Sequence, residues 1–186
     1  TLTRVSFVKC KFKNCIFTEF PEDKKVTVIT KKDAESSDSF LAQGGMCMLR
    51  SEDDFDGYFE DTMKAGHYKN NKASVEVMIR SSQHIAQKLI EYGVDFERKD
   101  GELAFTREGG HSRPRILFHE DITGKEITGT LLERVKERKN IKLYEYTTML
   151  DILCKDNACY GLVVQLPDGK VDTITAPNTV FACGGI

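Results

Sequence analysis

An α/β fold of the nucleotide-binding type is what this sequence predicts, and three observations carry the prediction. Short apolar strands alternate with segments of helical period from residue 24 onward. Three strand-like stretches punctuated by turn residues follow one another from residue 147. A last apolar stretch, "TVFACGG", then runs into a glycine pair. Strands separated by helices favour a parallel sheet covered by those helices, with the later meander as an insertion.

Taken in order, "KKVTVITKK" (24–32) is β-branched, alternating and bounded by charge, so it reads as a buried strand. "DAESSDSFLAQGG" has the small and polar residues of a loop closing on Gly44 and Gly45. "SEDDFDGYFEDTMKAG" opens with Ser51 as an N-cap and acids in the first turn. Phe55, Tyr58, Phe59 and Met63 then share one helical face, which Gly66 stops. In "NKASVEVMIRSSQHIAQKLIEYG", Val75, Met78, Ile79, Ile85, Ala86, Leu89 and Ile90 keep a helical period, with Gly93 just past the end.

"VDFERKDGELAF" reads as a short hairpin. Thr123 starts a third helix to about Lys139, with Ile127, Leu131 and Val135 inward and a capping box from Thr123 to Glu126. "IKLYEYT" is a strand. "TMLDILCKD", "ACYGLVVQLPDG" and "KVDTITAPN" form a meander with "PDG" as one turn, and "TVFACGG" is a last strand.

Composition narrows the function classes. A hydrophobic content of 40% with 30% charged residues describes a globular chain of one ordinary domain. The net charge of −2 and pI of about 6.1 point away from nucleic acid and membrane surfaces. No stretch approaches the roughly 18 apolar residues of a membrane span, and no signal peptide opens the chain. Cys10, Cys15, Cys47, Cys154, Cys159 and Cys183 form no C-x-x-C pair, and no histidine lies at zinc-site spacing from them. They read as reduced thiols of a cytoplasmic protein, without a metal.

"TREGGHSRPR" (106–115) holds one acid, Glu108, with Arg107, Arg113 and Arg115 around a glycine pair. On the residues alone, Glu108 is a surface carboxylate paired with one of those arginines. A wider pattern changes the weighing. "SFLAQGG", "EDTMKAG", "TREGGHSRPR", "HEDITGKEI" and "VFACGG" stand in the order and spacing of one flavoprotein family. That family contains L-aspartate oxidase and the flavoprotein subunits of succinate dehydrogenase and fumarate reductase. From about Val26 to the end the chain resembles it, and most closely its aspartate oxidase branch. The resemblance implies a partial FAD-binding, Rossmann-like domain with inserted helices and a three-stranded β-meander.

Two residues carry the placement within the family. The succinate and fumarate enzymes have a flavin-bonding histidine five positions before the glutamine of "AQGG". Here that position is Asp38, so the resemblance implies FAD held non-covalently. Those enzymes also lack an acid at the place of Glu108. Aspartate differs from succinate by an α-ammonium group, and a charge-assisted contact to it is worth about 1.5–3 kcal/mol. The resemblance thus implies that Glu108 orients the substrate amine, with Gly109 and Gly110 allowing close approach. His111, Arg113 and Arg115 are left between positioning the loop and packing.

The same resemblance assigns Lys31, at the end of the first strand, to the adenosine ribose. It assigns Asp38, Ser39, Phe40, Leu41, Ala42, Gln43, Gly44 and Gly45 to the segment over the phosphates and isoalloxazine. The implied reaction is oxidation of L-aspartate to iminoaspartate, with oxygen or fumarate as acceptor. Its product would supply quinolinate synthase in de novo NAD biosynthesis.

The chain departs from the family in two places. No glycine precedes Gly44, where the family has a glycine-rich phosphate loop. Either residues 1 to about 20 come from a shifted frame or misassigned start, or the chain is a relative that has lost flavin binding. The family's capping domain and catalytic acid/base also lie beyond "FACGG", so the 186 residues read as an incomplete FAD-binding domain inactive alone. The alternatives are a soluble fumarate reductase or succinate dehydrogenase flavoprotein, and a non-catalytic remnant.

Overall fold

The computed structural model describes residues 2–3, for their backbone, and residues 24–183. The divergent segment up to about residue 20 and the closing glycine pair lie almost wholly outside the described residues. The chain divides into two compact units, Thr1–Asp38 with Leu132–Ile186, and Ser39–Leu131.

The first unit is built on a parallel pair. β1 (Leu2–Thr3) lies antiparallel to β2 (Val26–Thr30), the "VTVIT" strand. β2 in turn pairs in parallel with β7 (Ile141–Tyr144), register Val26 to Ile141 through Ile29 to Tyr144. Parallel neighbours need a crossover, and everything between them in sequence supplies it. The meander forms as expected: β8 (Thr148–Lys155), β9 (Ala158–Gln165) and β10 (Val171–Thr175) are antiparallel in the order β10-β9-β8. Asp156 and Asn157, both at positive φ, turn β8 into β9, and the "PDG" turn joins β9 to β10. Ile29, Leu162 and Val164 form the buried centre of this unit, with Met149, Ile174 and Phe181 against them.

"TVFACGG" differs from expectation. Residues 179–183 form no strand, although Thr179 and Ala182 are buried. An apolar run becomes a strand only when its backbone finds a ladder, and among the described residues this one finds none.

The second unit holds most of the helical residues. The expected loop after β2, within the first unit as far as Asp38, contains a 3-10 turn (Ala34–Ser36) and one turn of helix, α1 (Asp38–Leu41), with which the chain enters the second unit. β3 (Met46–Cys47) follows. Ser51 then caps a 3-10 turn (Glu52–Asp54) rather than a helix, and its hydroxyl donates to Asp53 instead of accepting from the backbone. α2 (Phe55–Ala65) buries Tyr58 and Met63 and half-buries Phe55 and Phe59, the predicted face.

α3 (Lys72–Tyr92) starts with Asn71 accepting from the Ser74 N–H at 3.1 Å and ends at Gly93, whose φ is +104°. Its buried line is Val75, Ile79, Ser82 and Ala86, while Met78 and Ile85 are each 47% exposed. Seven apolar positions span a wider arc than this helix buries. β4 (Arg98–Lys99) and β5 (Glu102–Leu103) make the short hairpin, and β6 (Ile116–Leu117) pairs antiparallel with β3.

α4 (Thr123–Glu137) begins where predicted, without the capping box. Thr123 Oγ1 accepts from the His119 N–H at 3.0 Å. Glu126 instead accepts from the Asp95 N–H at 2.8 Å, so it is not available to its own helix end. Two apolar clusters close this unit: Leu49, Tyr58, Met63, Val75 and Ile79, and Ala86, Val94, Phe96 and Leu117. Among the described residues no helix is long and apolar enough to cross a membrane.

Candidate functional site

The 106–115 stretch is a loop pinched at its base. Thr106 and Ile116 exchange both backbone bonds, at 3.0 and 3.1 Å. Between them Gly110 turns the chain at φ +88°, which an L side chain rarely adopts. A Cβ on Gly109 or Gly110 would meet nothing within 4 Å, so the tip is open space.

The β3–β6 ladder brings a second motif to this loop. Met46 pairs with Leu117 and Cys47 with Ile116, and the Met48 N–H donates to the Arg115 carbonyl at 2.8 Å. That register sets "AQGG" beside the loop base. A Cβ on Gly45 would collide with the Leu117 carbonyl and the Ile116 side chain, so only glycine fits. Gly44 faces the other way, and the first atom its Cβ would meet is Glu108 Oε2 at 3.7 Å. Two candidates 64 positions apart in the sequence (108 − 44) are therefore neighbours.

Glu108 is exposed, and among the described residues no cation lies within ion-pair distance of it. The expected surface pairing with Arg113 or Arg115 is not what the loop does. Arg115 is 0% exposed. Its Nε and Nη2 donate to Asp54 at 2.6 and 2.8 Å, and its Nη1 donates to Asp61 at 2.6 Å. Its guanidinium also lies 5.3 Å from the Tyr58 ring centroid. The bonds to Asp54 hold the guanidinium above its ordinary pKa against the cost of burial.

Asp61 also accepts from the Ser112 N–H and hydroxyl, both at 2.7 Å. Burial pushes the Asp61 carboxyl up, but the bonds from Ser112 and Arg115 outweigh it and hold it below the usual carboxylate range. Arg113 turns to Asp53 at 3.3 Å and Asp54 at 3.6 Å. Sequence reasoning left these arginines open and missed the acids that hold them. A signal was present: Asp54, Tyr58 and Asp61 stand at i, i+4 and i+7, the helical spacing of one face running from the N-cap of α2 into the helix.

His111 sits behind the loop tip. Its Nε2 lies 3.3 Å from Cys47 Sγ and its ring meets Tyr58 edge-on. Burial pushes the Cys47 thiol up, so it is held as a packing thiol rather than a thiolate.

The segment before Gly44 is clamped on one side. The Gly124 N–H at the start of α4 donates to the Ala42 carbonyl at 2.9 Å, and a Cβ on Gly124 would collide with the Ser39 and Ala42 carbonyls. A Cβ on Gly129 would meet the Phe40 ring at 3.8 Å. Leu41, Ala42, Gln43 and Gly44 remain exposed, Leu41 by 66%. Asp38 and Ser39 are exposed as well. Lys31, in the first unit, is exposed directly after the buried end of β2. In open α/β sheets ligands bind at that carboxyl end of the strands. Among the described residues no cluster of three or more metal-ligating side chains forms.

Residues 19–186 match the family of FAD binding domains. The L-aspartate oxidase of Clostridium perfringens is 42% identical over 165 residues, which is 89% of this chain and 37% of that protein. That of Clostridium acetobutylicum is 38% identical over 165 residues, 88% of this chain and 38% of that protein. Among solved structures, an E. coli quinol fumarate reductase variant superposes with a TM-score of 0.78 at 26% identity, over 83% of this chain and 27% of that one. The chain spans well under half the length of these relatives.

Proposed function

We propose that this chain, which belongs to the family of FAD binding domains, is the flavin-holding portion of an L-aspartate oxidase. The observation that carries the reading is the Glu108 carboxylate, open to solvent beside Gly44 and without an ion pair among the described residues. A surface acid amid three arginines would ordinarily be neutralised. This one is available to an ammonium group.

The residues fit a flavin dinucleotide. The 39–44 segment is pinned from behind by Gly124 and leaves its other side exposed, with the bare Leu41 side chain suited to an aromatic ring system. Lys31 is assigned to the adenosine ribose, and Asp38, Ser39, Phe40, Leu41, Ala42, Gln43, Gly44 and Gly45 to the phosphates and ring system. Asp38 offers a carboxylate where a covalent link would need a histidine, so the cofactor is non-covalent. FAD, when bound, supplies the acceptor for a hydride from the substrate α-carbon. Glu108 accepts hydrogen bonds from the α-ammonium and so fixes which way the α-hydrogen points. The open tip at Gly109 and Gly110 leaves room for the substrate.

Loss of the hydride and one ammonium proton turns L-aspartate into iminoaspartate. Oxygen or fumarate takes the electrons, and the imine is passed to quinolinate synthase for NAD biosynthesis. The cytoplasm suits this protein, because Cys47, Cys154, Cys159 and Cys183 are all free thiols. Residues 1–186 are read as an incomplete FAD-binding domain whose first 20 residues depart from the family.

A fumarate reductase reading draws support from the solved-structure likeness at 26% identity. One preparation separates the two. Purify the protein made from the whole reading frame that encodes this chain, denature it, and ask where the flavin goes, then assay L-aspartate and succinate. Flavin released to the supernatant and oxidation of aspartate in preference to succinate support the oxidase. Flavin retained on the protein, or succinate preferred, contradicts it.

A further inference from the structure

We propose that Asp53, Asp54 and Asp61 are positioning residues for Glu108: by taking up Arg113 and Arg115, they keep its carboxylate unpaired for a ligand ammonium. The inference rests on the reading of Glu108 given above and concerns what makes that reading workable. The loop carries Arg107, Arg113 and Arg115 against a single acid. A guanidinium free to reach Glu108 would pair with it and cancel the charge that distinguishes an amino dicarboxylate from a plain one.

The acids of the 3-10 turn and α2 prevent this. Arg115 is bound in two prongs by Asp54 and in a third by Asp61. Arg113 spans Asp53 and Asp54. Asp61 also holds the Ser112 N–H and hydroxyl, pinning the chain directly before Arg113. Three carboxylates thus face two guanidiniums, and the local balance leaves neither arginine drawn toward Glu108. Arg107 is exposed and forms no ion pair among the described residues.

The test compares binding of two ligands to the FAD-loaded, whole-frame protein by calorimetry. The quantity is the ratio of succinate to L-aspartate dissociation constants, in the unaltered protein and in Asp53→Asn, Asp53→Asn/Asp61→Asn and Asp61→Glu. Asp54 is left in place because, at 2% exposure, its replacement is a folding variant. The ratio is expected to fall about ten-fold in the double variant, less in Asp53→Asn, which is exposed and safe for folding, and little in Asp61→Glu. Adding Arg113→Gln to Asp53→Asn is expected to restore it, because the guanidinium that Asp53 held is then gone. A merely structural role predicts something else: both ligands weaken together, the ratio stands, and Arg113→Gln restores nothing. That outcome overturns the inference. Glu108→Gln is the control. If it collapses the ratio while the aspartate variants do not, only this inference falls; if it leaves the ratio intact, the Glu108 reading falls and takes this one with it.

Discussion

Arg115 gives up its contact with water and keeps its charge, because every prong of its guanidinium meets an oxygen of Asp54, Asp61 or Ser112. Replacing it by methionine strips the buried Asp54 of both close guanidinium bonds and leaves it only Arg113 at 3.6 Å, which costs about 3–5 kcal/mol. Denaturant unfolding of Arg115→Met against the unaltered chain measures this, and a loss near zero would mean the network is not formed. Asp61 adds a pH signature. Its folded pKa lies below the unfolded value of about 3.9, so its contribution is complete above that pH and is lost as the pH falls through the folded value. The stability gap between the unaltered protein and Asp61→Asn should therefore narrow below about pH 4, as acid unfolding curves of the two would show.

The elements were legible to different degrees, and each departure has a local cause. α3 was readable at both ends because Asn71 and Gly93 are cap residues with a physical job. Asn71→Ala should lower stability by about 1 kcal/mol, measurable as a shift in thermal unfolding. The meander was readable because its turns demand positive φ and carry Asp-Asn and Asp-Gly. The capping box at α4 failed since Glu126 serves the Asp95 N–H, a partner 31 positions away that no local pattern reveals. Residues 179–183 have strand composition but no ladder among the described residues. Met78 and Ile85 illustrate the one-way nature of hydrophobic patterning: apolar residues mark a helix better than they mark which side is buried.

At the scale of the molecule, "AQGG" and "TREGG" were each visible in the sequence. Their adjacency was not, because it depends on the β3–β6 register. The network of Arg115 with Asp54 and Asp61 was hidden because its partners are 61 and 54 positions away in sequence. What the fold adds is a division of labour within one loop: Arg115 anchors it, Gly110 turns it, and Glu108 is left over. The account stands or falls on that leftover charge. The most direct measurement is therefore the ratio of kcat/KM for L-aspartate to that for succinate, with and without Glu108→Gln, in the whole-frame protein. The account predicts a loss of ten-fold or more, roughly, in the preference for aspartate, with succinate unchanged or improved. An equal loss on both substrates, or none on either, would contradict it.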